Sequence, residues 1–224
     1  MSTATGPLLQ VRDRARGDLE VPHGGVVVLL APSGGGKTQW VRALLGLDGG
    51  RMDEVRVDGR KADTQAVRKA VGWVPEGDGA VLDLTVWDNV ACPPHLPPVP
   101  HADAADALDL LGLTALSRHR AWSLSRNDRR RVALARVVAR RNPLLVVDGD
   151  LDATLMPLLL PLLEQAPGLQ GVLLTSSRAG DLAWRAGSVG LMLEGRVLEQ
   201  APWAELVTAQ RSPVRDAVLW VQPQ

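Results

Sequence analysis

The stretch VVVLLAPSGGGKTQWVRALLGL (residues 26–47) decides the fold of this chain. Its first five residues predict a buried strand, and the apolar periodicity of residues 39–47 predicts a helix. A glycine-rich loop joins the two elements. Consecutive glycines let backbone N–H groups converge on an anion where a helix begins, and Lys37 adds a positive charge. The stretch therefore predicts a phosphate-binding site on an α/β fold.

The loop APSGGGKT (residues 31–38) fits the Walker A pattern, except that Ala31 stands where the first glycine belongs. An alanine is accommodated there if its φ is negative. Lys37 and the loop backbone would hold phosphate oxygens, and the Thr38 hydroxyl would reach Mg²⁺. A plain glycine-rich turn with a solvated lysine is the alternative, and the flanking strand and helix disfavour it. The predicted nucleotide-binding residues of this segment are Ser33, Gly34, Gly35, Gly36, Lys37, Thr38 and Gln39.

The composition is that of one ordinary globular domain, with 224 residues, 46% apolar and 22% charged. Because 25 basic residues balance 25 acidic ones, no net field attracts a polyanion, and we expect no nucleic-acid partner. No apolar stretch approaches the roughly 20 residues of a membrane-spanning helix, and we see no secretion signal, so we expect no direct membrane insertion. Cys92 is the single cysteine, and we expect it to be a buried small residue.

Further apolar runs continue the alternation of strands and helices. Buried strands are predicted at 71–74, 144–147 and 172–175, a closing hairpin at 189–198, and an antiparallel edge at 55–57. We therefore predict an α/β fold with a mostly parallel core sheet, an antiparallel β edge and an inserted helical subdomain. The whole chain, 1–224, would be one domain. Its α/β core would comprise 1–75 and 143–224, and its helical subdomain 76–142.

The segment LSRNDRRRVALARVVARRNPLLVVD (residues 124–148) resembles the ATP-binding cassette (ABC) family. In that family an LSGGQ signature precedes a basic helix and a Walker B strand ending in an aspartate, here Asp148. VPEGDGAVLDLTVWDNV (residues 74–90) is similar to the family's Q-loop region, and GRVLEQAPWAEL (residues 195–206) to its C-terminal hairpin and helix. The resemblance implies the P-loop NTPase (RecA-like) fold, with ATP and Mg²⁺ as cofactors. The arginines of the basic helix would mostly form a solvated or ion-paired face.

The resemblance also implies partners. Two cassettes of this family sandwich two ATP molecules, each between one subunit's Walker A loop and the other's signature. We expect a transmembrane permease subunit and a second ABC subunit, with homodimer and heterodimer both open. The expected location is cytoplasmic, peripheral at the inner face of the cell membrane through the permease. Cargo and direction stay open, since specificity in this family lies in the transmembrane partner.

Two catalytic positions of the family are empty in this chain. Gly149 stands where the family has its general-base glutamate, and Ser176 where it has its switch histidine. A glycine has no side chain to accept a proton, and a hydroxyl cannot substitute for an imidazole. Asp150 would be a displaced base if the strand continued extended past Asp148, and a turn residue otherwise.

The binding positions depart from the family pattern as well. Glu76 replaces the Q-loop glutamine with a carboxylate, which would strengthen a cation site or repel the γ-phosphate. In the signature, LSRND (residues 124–128), Ser125 can still cap a helix aimed at a phosphate. The family's adenine-stacking aromatic has no counterpart near residues 9–16, where Arg12 or Arg14 would stack instead. The family's contact loop reads DATL (residues 152–155). The predicted metal ligands are Thr38, Glu76 and Asp148.

These features favour an ATP-binding ABC subunit that is impaired in hydrolysis, either a pseudo-ATPase or a regulatory cassette. Loss of a general base alone costs about 10²–10⁴-fold in rate, so residual hydrolysis would be slow. Two alternatives stay open: an active transport ATPase with non-standard catalytic residues, and an interaction module that no longer uses nucleotide.

Overall fold

The computed structural model describes residues 6–77, 79–150, 156–178, 186–208 and 216. The strands are β1 Leu9–Arg12, β2 Leu19–Val21, β3 Gly25–Leu30, β4 Glu54–Val57, β5 Arg60–Lys61, β6 Val71–Val74, β7 Leu144–Val147, β8 Gly171–Ser176, β9 Ser188–Leu193 and β10 Arg196–Ala201. The helices are α1 Lys37–Leu44, α2 Thr64–Ala70, α3 Val86–Ala91, α4 His101–Leu110, α5 Arg126–Ala139, α6 Met156–Gln165 and α7 Trp203–Thr208. Short 3-10 turns lie at Thr114–Leu116 and Ala121–Ser123.

The core sheet has the strand order β10-β9-β3-β8-β7-β6. Every pair from β9 to β6 is parallel, and β10 returns antiparallel beside β9. Strands β7 and β8 are buried along their whole length, as expected for a sheet covered on both faces. The predicted fold class, with a mostly parallel core sheet, is confirmed.

The parallel register aligns the carboxyl ends of the central strands. Leu30 pairs with Ser176, and Val74 pairs with Val147. The loops that follow β3, β6, β7 and β8 therefore all leave the same edge of the sheet, which is where open α/β sheets bind their ligands.

A second sheet, of order β2-β1-β4-β5, is antiparallel and contains the predicted edge. The turn between β4 and β5 uses Asp58 and Gly59, both with positive φ (50° and 74°), which matches a tight hairpin. Val11 of this sheet and Leu29 of the core sheet pack in one buried cluster with Trp40 of α1. The antiparallel sheet thus covers one face of the core sheet.

Helices α3, α4 and α5 lie between β6 and β7 in sequence and pack on one another. Val132 and Leu134 of α5 share a buried cluster with Val147 and Leu174 of the core sheet. The helical segment therefore rests on the sheet through a continuous core. No helix in the described parts of the chain is long and apolar enough to cross a membrane.

The prediction for Cys92 was wrong, since the side chain is exposed. Cys92 is the first residue after α3, where the backbone leaves helical geometry with φ −144° and ψ 59°. A proline-rich segment follows and runs over the surface, so the thiol lies outside the core.

Candidate functional site

The glycine-rich loop joins β3 to α1, and its shape depends on the missing side chains. Gly34 and Gly36 have φ values of 76° and 88°, in the region that side chains disfavour. A Cβ on Gly35 would lie 2.8 Å from the carbonyl oxygen of Pro32. Ala31 is not among the residues with positive φ, so an alanine fits at the first loop position. The backbone therefore has the freedom that a phosphate-binding loop needs.

Lys37 reaches back across this loop. Its Nζ donates hydrogen bonds to the carbonyl oxygens of Ala31 and Pro32, at 3.0 and 3.1 Å. Burial lowers the pKa of Lys37, and the nearby carboxylates of Asp150, Asp148 and Glu76 oppose that shift. The ammonium group is thus fixed over the loop and surrounded by acidic groups.

A cavity of about 310 Å³ opens beside the loop. It is lined by Ser33, Gly34, Gly35, Gly36, Lys37, Thr38, Gln39, Glu76, Gly149, Asp150 and Ser177. The structure therefore brings together every predicted nucleotide-binding residue of the Walker A segment, together with Glu76 from the loop after β6. Ser125 does not line this cavity.

Asp148 directly follows β7 and is fully buried beside the cavity. Its Oδ1 accepts a 2.6 Å hydrogen bond from the Thr175 hydroxyl. Its Oδ2 is buried with no hydrogen-bond partner among the described residues. An unsatisfied buried carboxylate oxygen is costly, and a cation would satisfy it. Oxygen donors of this kind are what Mg²⁺ prefers, so Asp148 and the hydroxyl of Thr38 fit such an ion.

Gly149 has φ 84°, so the backbone turns sharply where β7 ends. An ideal Cβ built on Gly149 would lie 2.8 Å from Cγ and 3.4 Å from Cδ of Glu76. Glu76 is exposed and lines the same cavity. Its side chain therefore occupies the space that a side chain at residue 149 would need.

Because the backbone turns at Gly149, Asp150 does not continue the strand. Its carboxylate instead accepts hydrogen bonds from the Ser176 hydroxyl (2.8 Å), the Ser177 backbone N–H (2.7 Å) and the Ser177 hydroxyl (2.5 Å). Burial raises the pKa of Asp150, but the bonds from Ser177 and Ser176 and the charge of Lys37 outweigh it, so the pKa is lowered overall. This geometry is that of a turn aspartate, and it also engages the Ser176 hydroxyl.

Ser125 lies at the start of α5. Its Oγ accepts a hydrogen bond from the backbone N–H of Asp128 (3.1 Å) and donates one to the Asp128 carboxylate (2.7 Å). Arg131 donates to the other oxygen of that carboxylate at 2.6 Å. The signature serine therefore caps its own helix, and the Asp128 carboxylate lies at the helix N-terminus.

Arg130 departs from the solvated face expected for most arginines of the basic helix. Only 5% of it is exposed. Its guanidinium donates to the carbonyl oxygens of Asp150 (2.8 Å) and Asp148 (3.3 Å). Arg130 thus fastens the signature helix α5 to the turn after β7. Arg130 lies four residues before Leu134, and both are on the buried side of α5. This helical spacing is the signal that could have identified Arg130 from the sequence.

Arg12, one of the two arginines predicted to replace the adenine-stacking aromatic, forms ion pairs with Asp18 (2.8 Å) and Glu20 (3.3 Å) on the antiparallel sheet. The contact loop at residues 152–155 lies outside the described residues.

Comparison with known proteins adds to this geometry. The family model described as "ABC transporter" matches residues 16–150. The methionine import ATP-binding protein MetN of Mesorhizobium japonicum is 30% identical over 222 residues, which cover 92% of this chain and 61% of that protein. Protein STAR1 of Oryza sativa subsp. japonica is 33% identical over an aligned length of 239 residues. The alignment covers 96% of this chain and 68% of that protein.

A sulfate/thiosulfate import ATP-binding protein, CysA of Synechocystis, is 34% identical over 144 residues, covering 61% of this chain and 41% of that protein. The chain spans about 60% of the length of the first curated relatives it matches. Among solved structures, cbiO1 from Clostridium perfringens, part of the complex cbiONQ, superposes with a TM-score of 0.76 at 19% identity, covering 90% of this chain and 91% of that one. A bacterial Atm1-family exporter with ATP bound gives a TM-score of 0.72 at 21% identity, covering 92% of this chain and 41% of that one. At these identities the structural likeness concerns the fold.

Proposed function

The chain belongs to the ABC transporter family, and from this premise we propose that it is the ATP-binding subunit of a transporter complex, in which it binds ATP with Mg²⁺ and hydrolyses it slowly. One observation supports this above all. The phosphate-binding loop is intact, whereas the neighbouring strand ends present Gly149 and Ser176 where the family has its base and its histidine.

Binding would use the residues that line the cavity. The backbone N–H groups of residues 33–38 and the ammonium of Lys37 would hold the phosphates. Thr38 and the unpartnered Oδ2 of Asp148 would hold Mg²⁺, which when bound neutralises charge on the phosphate oxygens. Gln39, the third residue of α1, lines the same cavity. Arg130 holds the turn after β7 in place by donating hydrogen bonds to the carbonyl oxygens of Asp148 and Asp150.

Hydrolysis would be slow because the groups beside the loop are poorly suited to activate water. Gly149 offers no side chain, and Ser176 is engaged with Asp150. Removing one general base costs about 10²–10⁴-fold in rate, and losses within one catalytic unit are not additive. We therefore propose that ATP acts mainly through binding, and that it stabilises one arrangement of the complex until it is released or slowly cleaved.

The partners follow from the family. Relatives are named ATP-binding proteins of methionine and sulfate/thiosulfate import, and a structural neighbour is part of the complex cbiONQ. We propose a membrane permease as the docking partner and a second ABC chain across the nucleotide. In that dimer Ser125 would face the partner's phosphates, and its bond to Asp128 would compete with that contact. The chain would lie peripherally at the cytoplasmic face of the membrane.

The test measures ATP binding and phosphate release on one preparation, with Lys37→Ala as the control. A ligand at a hundredfold excess over its Kd stabilises the folded state by about 2.7 kcal/mol, or roughly 5–10 °C in Tm for a chain of this size. We expect such a shift with MgATP in the wild type, its loss in Lys37→Ala, and release far below one turnover per second. Brisk release would show an active ATPase with non-standard groups. A wild type without any shift would show a module that does not use nucleotide.

A further inference from the structure

We propose that Glu76, which the sequence predicted to be a metal ligand, instead takes the place of the missing carboxylate at residue 149 and accepts the proton of the water that attacks the γ-phosphate. The proton acceptor would thus have moved from the end of β7 to the loop after the neighbouring strand β6. This inference rests on the proposed function, since it names the group responsible for the slow hydrolysis.

The register of the sheet places the two residues side by side. Val74 pairs with Val147, and the N–H of Asp148 donates to the carbonyl oxygen of Val74 at 2.8 Å. Glu76 and Gly149 each lie two residues past this pair. A side chain on residue 76 therefore reaches the space beside residue 149, as the 2.8 Å separation between Glu76 Cγ and an ideal Cβ on Gly149 shows.

The other two carboxylates near Lys37, Asp148 and Asp150, already make hydrogen bonds to other residues. Asp148 is fully buried and is held on one side by Thr175, so its second oxygen is suited to a cation. Asp150 accepts three hydrogen bonds from Ser176 and Ser177, and these bonds engage both of its carboxylate oxygens.

Glu76 differs from both. Like Asp150, it is exposed to solvent and lines the phosphate cavity, but no hydrogen bond or ion pair reaches its carboxylate from the described residues. Its charge is near enough to Lys37 to favour the protonated ammonium. Of the two carboxylates that line the cavity, Glu76 is therefore the one whose oxygens accept no hydrogen bond from the described residues and can take a proton from water.

The backbone opposes the return of a glutamate to residue 149. A φ of 84° is unfavourable for any residue with a side chain. The Glu76 side chain also fills the space that such a residue would need. A carboxylate can therefore stand in this space from residue 76 or from residue 149, but not from both. In this chain it comes from residue 76.

The proposed step balances without any further reactant. The water oxygen forms a bond to the γ-phosphorus, and the bond from that phosphorus to the β–γ bridging oxygen breaks. The bridging oxygen keeps the electron pair and leaves with ADP. One water proton passes to the Glu76 carboxylate, which later releases it to solvent.

The experiment measures phosphate release by the full chain at saturating MgATP, and MgATP binding by the shift in Tm, for four variants. Glu76→Gln keeps the size of the side chain but cannot accept a proton, and Asp150→Asn is the matched change on the neighbouring carboxylate. We expect Glu76→Gln to lower release at least tenfold with the Tm shift retained, and Asp150→Asn to lower it less.

Glu76→Ala opens the space beside Gly149, so added formate should restore part of its release. Formate should not restore Glu76→Gln, whose side chain still fills that space. Gly149→Glu alone should not raise release.

Several results would overturn the inference. These are equal release by Glu76→Gln and wild type, a larger loss in Asp150→Asn, loss of the Tm shift in Glu76→Gln, or no effect of formate on Glu76→Ala. Undetectable release by the wild type would also overturn it, while a retained Tm shift would leave the ATP-binding part of the proposed function standing. Brisk wild-type release that Glu76→Gln abolishes would have the opposite meaning: the proposed slow hydrolysis would fail, and the role of Glu76 would hold.

Discussion

Replacing Gly149 by alanine tests the geometry at the end of β7 through stability alone. Two costs add at this position. An L-residue in the left-handed region, at φ 84°, loses about 1–2 kcal/mol. The new Cβ would also lie 2.8 Å from Cγ of Glu76, and overpacking of this kind costs about 1 kcal/mol at its low end, because an exposed side chain can move. We expect Gly149→Ala to lose about 2–3 kcal/mol of unfolding free energy.

Gly24 supplies the matched control. It has a similar φ of 68°, and a Cβ there would meet no heavy atom within 4 Å, so Gly24→Ala reports the backbone cost alone. Urea unfolding of both variants gives the difference, which we expect to be about 1 kcal/mol. Repeating Gly149→Ala with Glu76→Ala completes a double-mutant cycle in which that difference should largely disappear. A loss in Gly149→Ala no larger than in Gly24→Ala, or no coupling to Glu76, would refute the placement of Glu76 over Gly149.

Three other changes can be checked by the same unfolding measurement. Arg130→Met should cost about 2–3 kcal/mol, because two carbonyl oxygens at the end of β7 lose their buried donor, and a loss below 1 kcal/mol would contradict that anchor. Asn89→Ala should cost about 2–4 kcal/mol, because its buried amide bonds both the N–H and the carbonyl oxygen of Val81; a neutral change would exclude this role. Asp150→Asn should cost about 1 kcal/mol at pH 7 after allowance for solvent screening. Since the pKa of Asp150 is lowered in the folded state, its contribution is complete above the ordinary value of 3.8 and is lost as the pH falls through the lowered value. The gap between the wild type and Asp150→Asn should therefore close in acid, and a gap that widens there would show the opposite sign.

The elements that rest on local pattern could be predicted from the sequence. The run of apolar residues before the glycine-rich loop, and the periodic helix after it, fixed the strand–loop–helix unit around Lys37. The same holds for β7, whose four apolar residues end at Asp148. These features depend on neighbours a few positions away, and a sequence shows such neighbours directly.

The contacts between side chains at the strand ends depend on the packing of distant segments. Nothing local indicates that Glu76 fills the space beside Gly149, because the contact depends on the parallel register of β6 and β7. Nothing local shows that Asp150 is bound by the serines after β8, because the turn at Gly149 sets its direction. Arg130 looked like one arginine among several, and only the packing of α5 against the sheet buries it. Residue types and local periods can be read along the chain, whereas the contacts that assign roles to carboxylates join segments far apart in sequence and exist only once the sheet has formed.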